Sequence, residues 1–221
     1  MPSGFLGFTG GSPAPQFTPM KLQRLSGYGP TAAFVSASSL FVFFVILIFG
    51  TPIAENARAI VVPMTIAYFL AFWIWLGGFA VVVFDLEWLE HPATSTTWFQ
   101  VAHWATLVAL VVPVVLGISL IAGAGVLVQA SFFATFVLVG VSLLIHNIDA
   151  RRAGLLKGAL PWLGIVTGAA YVIAGFGIWT IPSIGFTGLI LGQTFYTAWA
   201  AWMGARLSGT RTGAAQAPAA P

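Results

Sequence analysis

From its N-terminus onward, the chain alternates long apolar stretches with short polar ones. The apolar stretches cover about 31–50, 60–84, 99–121, 126–146, 161–180 and 184–205. Each reaches roughly 20 residues, the length at which a helix rising 1.5 Å per residue crosses a hydrocarbon layer about 30 Å thick. None alternates apolar and polar positions, as a strand of a membrane barrel would. Lipid offers the backbone no hydrogen-bond partner, so spans of this kind must be helices. The pattern predicts an all-α membrane protein folded as one six-helix transmembrane bundle. Residues 1–30 hold no apolar run and are broken by Gly and Pro, so they are expected to form an irregular tail. The stretch 206–221 is rich in Ala, Gly and Pro and is expected to be disordered. Between spans, AGAG (122–125) is a tight turn, DLEWLEHPATSTTW (85–98) is the longest polar connection and NIDARRAGLLKGAL (147–160) is the most basic.

Composition strengthens this picture. Charged residues make up 6% of the chain and hydrophobic ones 59%, against about 25% charged in an ordinary soluble domain. That excludes a soluble enzyme, a disordered chain and a secreted module, because too few polar groups exist to cover a water-facing surface. With no cysteine, the chain cannot hold a disulfide, an iron–sulfur cluster or a thiolate metal site. The net charge of +3 is scattered between apolar segments, which does not make a nucleic-acid surface. Instead it sets an orientation. Six spans put Lys21, Arg24, Arg151, Arg152, Lys157, Arg206 and Arg211 on one side and Arg58 alone on the other. By the positive-inside rule both termini are then cytoplasmic. The expected location is the cytoplasmic membrane of a prokaryote. The expected partners are membrane lipids and neighbouring membrane proteins or a second copy of the chain.

Small residues point to helix contacts. Gly164 and Gly168, and likewise Gly188 and Gly192, have the spacing that lets two membrane helices approach closely. Spans five and six should therefore be the tightest pair, with a hairpin at Pro182 bringing Gly175 and Gly177 beside Gly188. Pro113, in the middle of span three, should kink it. Trp98, Trp104, Trp162, Trp179 and Trp202 fall near span ends, as an interfacial belt requires. Trp73 and Trp75 fall at mid-span instead. Together with Gln193, Thr194 and Tyr171 they could line a pocket for a flat or greasy ligand such as a quinone, carotenoid, lipid or haem, or they could simply pack and hydrogen-bond between helices.

The chemistry-bearing residues gather at one end. Folding spans three and four about residue 124 places His103 level with residue 145, next to His146. If span two continues as helix past residue 84, Glu87 and His91 share a face at i,i+4, and Pro92 ends the extension. Glu87, His91, His103 and His146, with Asp149 behind them, have the imidazole–carboxylate character of a Zn, Fe or Cu site. His103 and His146 could alternatively be the two axial ligands of a haem b. The plainer reading is that these are interfacial groups reaching water, with His146, Asn147 and Asp149 as ordinary helix-end polarity.

No Asp, Glu, Lys or Arg lies mid-span, which argues against a proton pump, a cation transporter or a charged filter. No catalytic serine motif or phosphate-binding loop is present, so the sequence neither requires nor excludes an enzyme. The composition favours a structural or accessory subunit, or a hydrophobic-ligand-binding protein, of a membrane complex. A metal- or haem-binding redox subunit and a carrier of neutral or apolar molecules are the alternatives.

Overall fold

The computed structural model of the chain describes residues 28–45, 58–90, 97–122 and 125–215, and these residues form helices without a strand. Six helices follow one another: α1 Gly29–Val45, α2 Arg58–Glu90, α3 Thr97–Ile121, α4 Gly125–Arg152, α5 Leu160–Thr180 and α6 Pro182–Ala215. Most of the N-terminal tail, the end of the first expected span, His91 and residues 216–221 lie outside the described residues.

Four helices are long and apolar enough to cross a membrane, over Thr65–Glu87, Thr97–Ile118, Ala130–Arg152 and Leu160–Ile178. α1 is apolar but spans only 17 described residues. α6 has 34 residues, diluted by Gly, Ser and Thr. Two helices outrun the apolar pattern. α2 continues through Asp85 and Glu87 to Glu90, so much of the expected loop 85–98 is helical. α6 passes residue 205 and reaches Ala215 where a disordered tail is expected. The reason is the same in both cases: no proline interrupts either segment before Pro92 and Pro218, respectively. Hydropathy marks where lipid begins and ends, whereas backbone hydrogen bonding marks where the helix does. Pro113 sits buried within α3, which continues through it to Ile121.

The helices pack in an antiparallel series. α3 lies on α4, α4 on α5, α5 on α6 and α6 on α1, while α2 packs on α1 and touches α3 and α4 more lightly. α2 comes close to α1, where a Cβ at Gly78 would lie 2.7 Å from the Ala32 carbonyl oxygen, and stands off α3 and α4 because on that side it carries the bulk. Phe72, Trp75 and Phe79 are fully buried and project into the middle of the bundle. Trp75 stacks on Phe136 of α4 at 5.4 Å between centroids and meets Tyr171 of α5 and Tyr196 of α6 edge-on at 6.3 and 6.2 Å. Such offset and edge-to-face pairs gain beyond the area they bury. The outward faces carry Phe34, Phe41, Val111, Ile118, Phe176 and Ile190, all exposed. Apolar side chains both inside and outside suit a bundle whose solvent is lipid.

The other seams are built from small residues. Gly140 of α4 and Gly168 of α5 face each other, so that a Cβ on either would lie 2.7 or 2.6 Å from the other's carbonyl oxygen. On α5, Gly164, Gly168 and Gly175 form one stripe at i, i+4 and i+11, and all three face α4, not α6. α6 presents its own stripe of Gly185, Gly188 and Gly192 to α5. α5 and α6 do make the most extensive pairing in the bundle. The expected partners at its hairpin need correcting: Gly177 meets Gly185, Gly188 lies over Ala170 and Ala174, and Gly175 packs on Val137 of α4. The azimuth of a glycine around its helix, which spacing alone does not reveal, decides which neighbour it serves.

Gly168→Val should force α4 and α5 apart and cost about 1–3 kcal/mol by overpacking, read as a lower thermal unfolding midpoint in detergent. Gly77→Ala, with nothing within 4 Å of its new Cβ, should leave the midpoint nearly unchanged.

Candidate functional site

The end of α2, the start of α3 and the end of α4 meet at one rim of the bundle. There Glu87 of α2 reaches two imidazoles at once. Its Oε2 accepts a hydrogen bond from Nδ1 of His103 at 2.8 Å, and its Oε1 lies 3.1 Å from Nε2 of His146, a close contact rather than an aligned hydrogen bond. Glu87 and His146 are buried, whereas His103 is 38% exposed. When Glu87 is ionised it can only accept, Nδ1 of His103 is then the donor, and Nε2 of the same ring is the atom left for other chemistry. Phe84 and Trp104 flank His103, and Phe99 stands edge-on to His146 at 5.7 Å. These aromatic walls limit water around the carboxylate and strengthen its hold on both rings.

The neighbouring groups extend the rim. Asp85, two residues before Glu87 and so about 200° around the helix, faces the other way, its Oδ2 occupying the space that a side chain at Gly29 would need. A buried carboxylate against the first residue of α1 suits the positive end of that helix. Asn147 accepts a hydrogen bond from the indole Nε1 of Trp199 at 3.0 Å while its own amide donates to the Leu143 carbonyl. Asp149 lies 3.9 Å from Arg152 one turn on. One turn deeper than the histidines, Thr106 of α3 and Ser142 of α4 share a hydrogen bond of 2.7 Å. The same antiparallel register that pairs 103 with 146 pairs 106 with 142, and beyond it Ala109 and Val139 are apolar and buried.

A second polar group lies deep in the bundle. Ser36 of α1 donates to the Trp75 carbonyl at 2.8 Å and bonds the Tyr196 hydroxyl. Tyr171 donates to Gln193 at 3.4 Å, and Gln193 in turn reaches Thr197. Every one of these polar groups is used between or along helices, as a low-dielectric interior demands.

The residues singled out in the sequence therefore separate into groups. Glu87, His103 and His146 come together, with Asp149 one helical turn from His146. His91 lies outside the described residues. Among the described residues, no three His, Asp or Glu side chains are arranged to hold a metal ion. Gln193 is buried in the interior, where Trp75 is the central indole. Trp73, two positions away and only half-buried, stands on the opposite side of α2. Thr194 is exposed. Sequence reasoning did not find Asn147–Trp199 or Ser36–Tyr196. A signal for part of this existed, since Gln193, Tyr196, Trp199 and Met203 recur at helical spacing along one buried face.

Glu87→Ala should lower the unfolding midpoint more than His103→Ala, because it takes the carboxylate from both imidazoles at once, the buried one included. Leaving a buried polar group unpaired costs about 1–3 kcal/mol, and a double-mutant cycle between Glu87 and His146 measures the part that belongs to the pair. Comparison with known families, curated proteins and solved structures finds no match to this chain.

Proposed function

We propose that this chain is a six-span membrane protein with both termini cytoplasmic, serving as a structural or accessory subunit of a membrane assembly. The observation that carries the reading is the filled bundle axis. Trp75, Trp199, Tyr171, Tyr196, Phe72, Phe79 and Phe136 are fully buried and interlocked, and Ser36, Tyr196, Tyr171 and Gln193 hydrogen-bond within the bundle, while the Trp75 indole N–H is buried without a hydrogen-bond partner among the described residues. An interior of this kind holds helices in register and leaves no aqueous path for a carried solute. The apolar cleft between α5 and α6, of about 500 Å³ and lined by Ile165, Ile173, Ile184 and Leu191, opens outward. Hydrophobic ligands or neighbouring helices would therefore meet the protein from the lipid side. The four long apolar helices support insertion, and the charge asymmetry supports the orientation.

One observation favours a second reading, a metal or redox role at the rim. A carboxylate that fixes one ring nitrogen of a histidine and leaves the other outward is the arrangement that orients metal-binding imidazoles, and Glu87 does this for His103. A haem b held between His103 and His146 would require Glu87 to withdraw from both rings, so a single Zn, Fe or Cu ion fits this reading better.

Single cysteines replacing Ala57 and Ala153 should label from opposite sides of sealed vesicles, and labelling from one side would break the six-span arrangement. Extracted in mild detergent from its native membrane, the chain should run well above its own 23.3 kDa with a second polypeptide in fixed ratio. A lone chain carrying one metal ion, or an absorption band lost on His103→Ala, would move the conclusion to the second reading.

A further inference from the structure

The connection between α4 and α5 is short, basic and built to one conformation. α4 ends in a Schellman motif. Gly154, at φ 73°, donates from its N–H to the Arg151 carbonyl at 3.1 Å, and Leu155 donates to the Ala150 carbonyl at 2.9 Å. Gly158, at φ 71°, makes the second bend. Between and beside the bends, Leu156 and Leu160 are buried at 5% and 3% exposure and pin the loop to the bundle. A loop held this way presents its remaining side chains at fixed places. Those side chains are cations: Arg151, Arg152 and Lys157 are all exposed.

Two further facts give this patch a ligand. The Arg151 guanidinium lies 4.2 Å from the centroid of the Trp162 ring, and Trp162 is itself half-exposed in the first turn of α5. A Trp at the end of an apolar span belongs at headgroup depth, so stacking on it holds Arg151 at that depth. Asp149 lies 3.9 Å from Arg152, and one carboxylate against three cations among the described residues of this connection leaves the patch with net positive charge.

We infer that the α4–α5 connection is a binding site for the phosphate of an anionic membrane lipid. The ligand class is a glycerophospholipid with net negative charge. Arg151, Arg152 and Lys157, exposed within seven residues of one fixed connection, supply the positive charge for the phosphate, and Trp162 packs on the upper acyl chain region. Charge complementarity selects this occupant: cationic side chains at headgroup depth face a leaflet whose anionic lipids attract juxtamembrane basic residues. The inference rests on the chain spanning a bilayer but not on its being an accessory subunit.

The full-length chain, in nanodiscs of phosphatidylcholine with one-fifth phosphatidylglycerol, is transferred to detergent and its retained lipid counted by native mass spectrometry. The wild type should retain phosphatidylglycerol well above its share in the disc. Replacing Arg151, Arg152 and Lys157 by Gln should lower that preference by about fivefold per cation, with only a small change in the unfolding midpoint because all three are exposed and their contacts to Asp149 and Trp162 lie at the surface. Trp162→Leu should weaken retention while keeping all three charges, and Arg152→Lys should keep it. Retention in proportion to the disc composition, or a triple variant that retains as much as the wild type, overturns the inference. Displacement by millimolar inorganic phosphate would show a site for free phosphate and overturn the lipid source. Failure to enter discs at all would instead break the membrane-spanning reading, so the two failures are distinguishable.

Discussion

A carboxylate at the end of a membrane helix must be hydrated or paired, because the desolvation cost of leaving it bare and buried is several kcal/mol. Glu87 is paired twice, with His103 and with His146. Because the two imidazoles belong to successive helices, the single carboxylate sets the height of α2 against the α3–α4 hairpin. α2 and α3 otherwise touch only lightly, so this clamp ties together elements that packing leaves loosely joined. Asp85, on the opposite side of α2, does the equivalent job towards α1. Two acids two residues apart thus anchor one end of the central helix to both halves of the bundle.

With that end anchored, the remaining packing divides the labour between large and small residues. α2 sends its aromatic side chains into the axis and brings its backbone close to α1 at Gly78. α4, α5 and α6 bring their backbones together over glycine stripes. For a bundle in lipid there is no hydrophobic force between helices, and close contact such as that at Gly140–Gly168 and along the α5–α6 seam is the attraction that takes its place. The result is a closed, well-filled interior. The exposed Trp residues, the basic connection and the outward cleft lie at the rim and on the outer surface of this core.

Much of this was legible in the sequence, though unevenly. The joint placement of His103 and His146 could be read because only the four residues AGAG separate spans three and four in the sequence, which leaves an antiparallel hairpin little choice of register. Glu87 could be added by extending α2 through residues that contain no breaker. The partners of Asn147 and Ser36 could not be read. Trp199 and Tyr196 lie 52 and 160 positions away from them, and no local rule connects helices so far apart. Glycine spacing marked which helices have a small face but not which neighbour that face meets, so Gly164 and Gly168 turned out to serve α4 rather than α6.

The sequence by itself determined the helical class, the length of the apolar stretches and the end of the molecule at which titratable groups collect. Each follows from local quantities: hydropathy over about 20 residues, backbone satisfaction in lipid and charge placement in loops. The tertiary structure alone decided which face of each helix is inward, that Trp75 rather than Trp73 forms the centre, and that one carboxylate is shared by two histidines. The physical reason is that these helices are apolar all round. Without a polar stripe to point outward, the azimuth of every helix is set by packing and hydrogen bonding against its neighbours, and those exist only once the bundle is assembled.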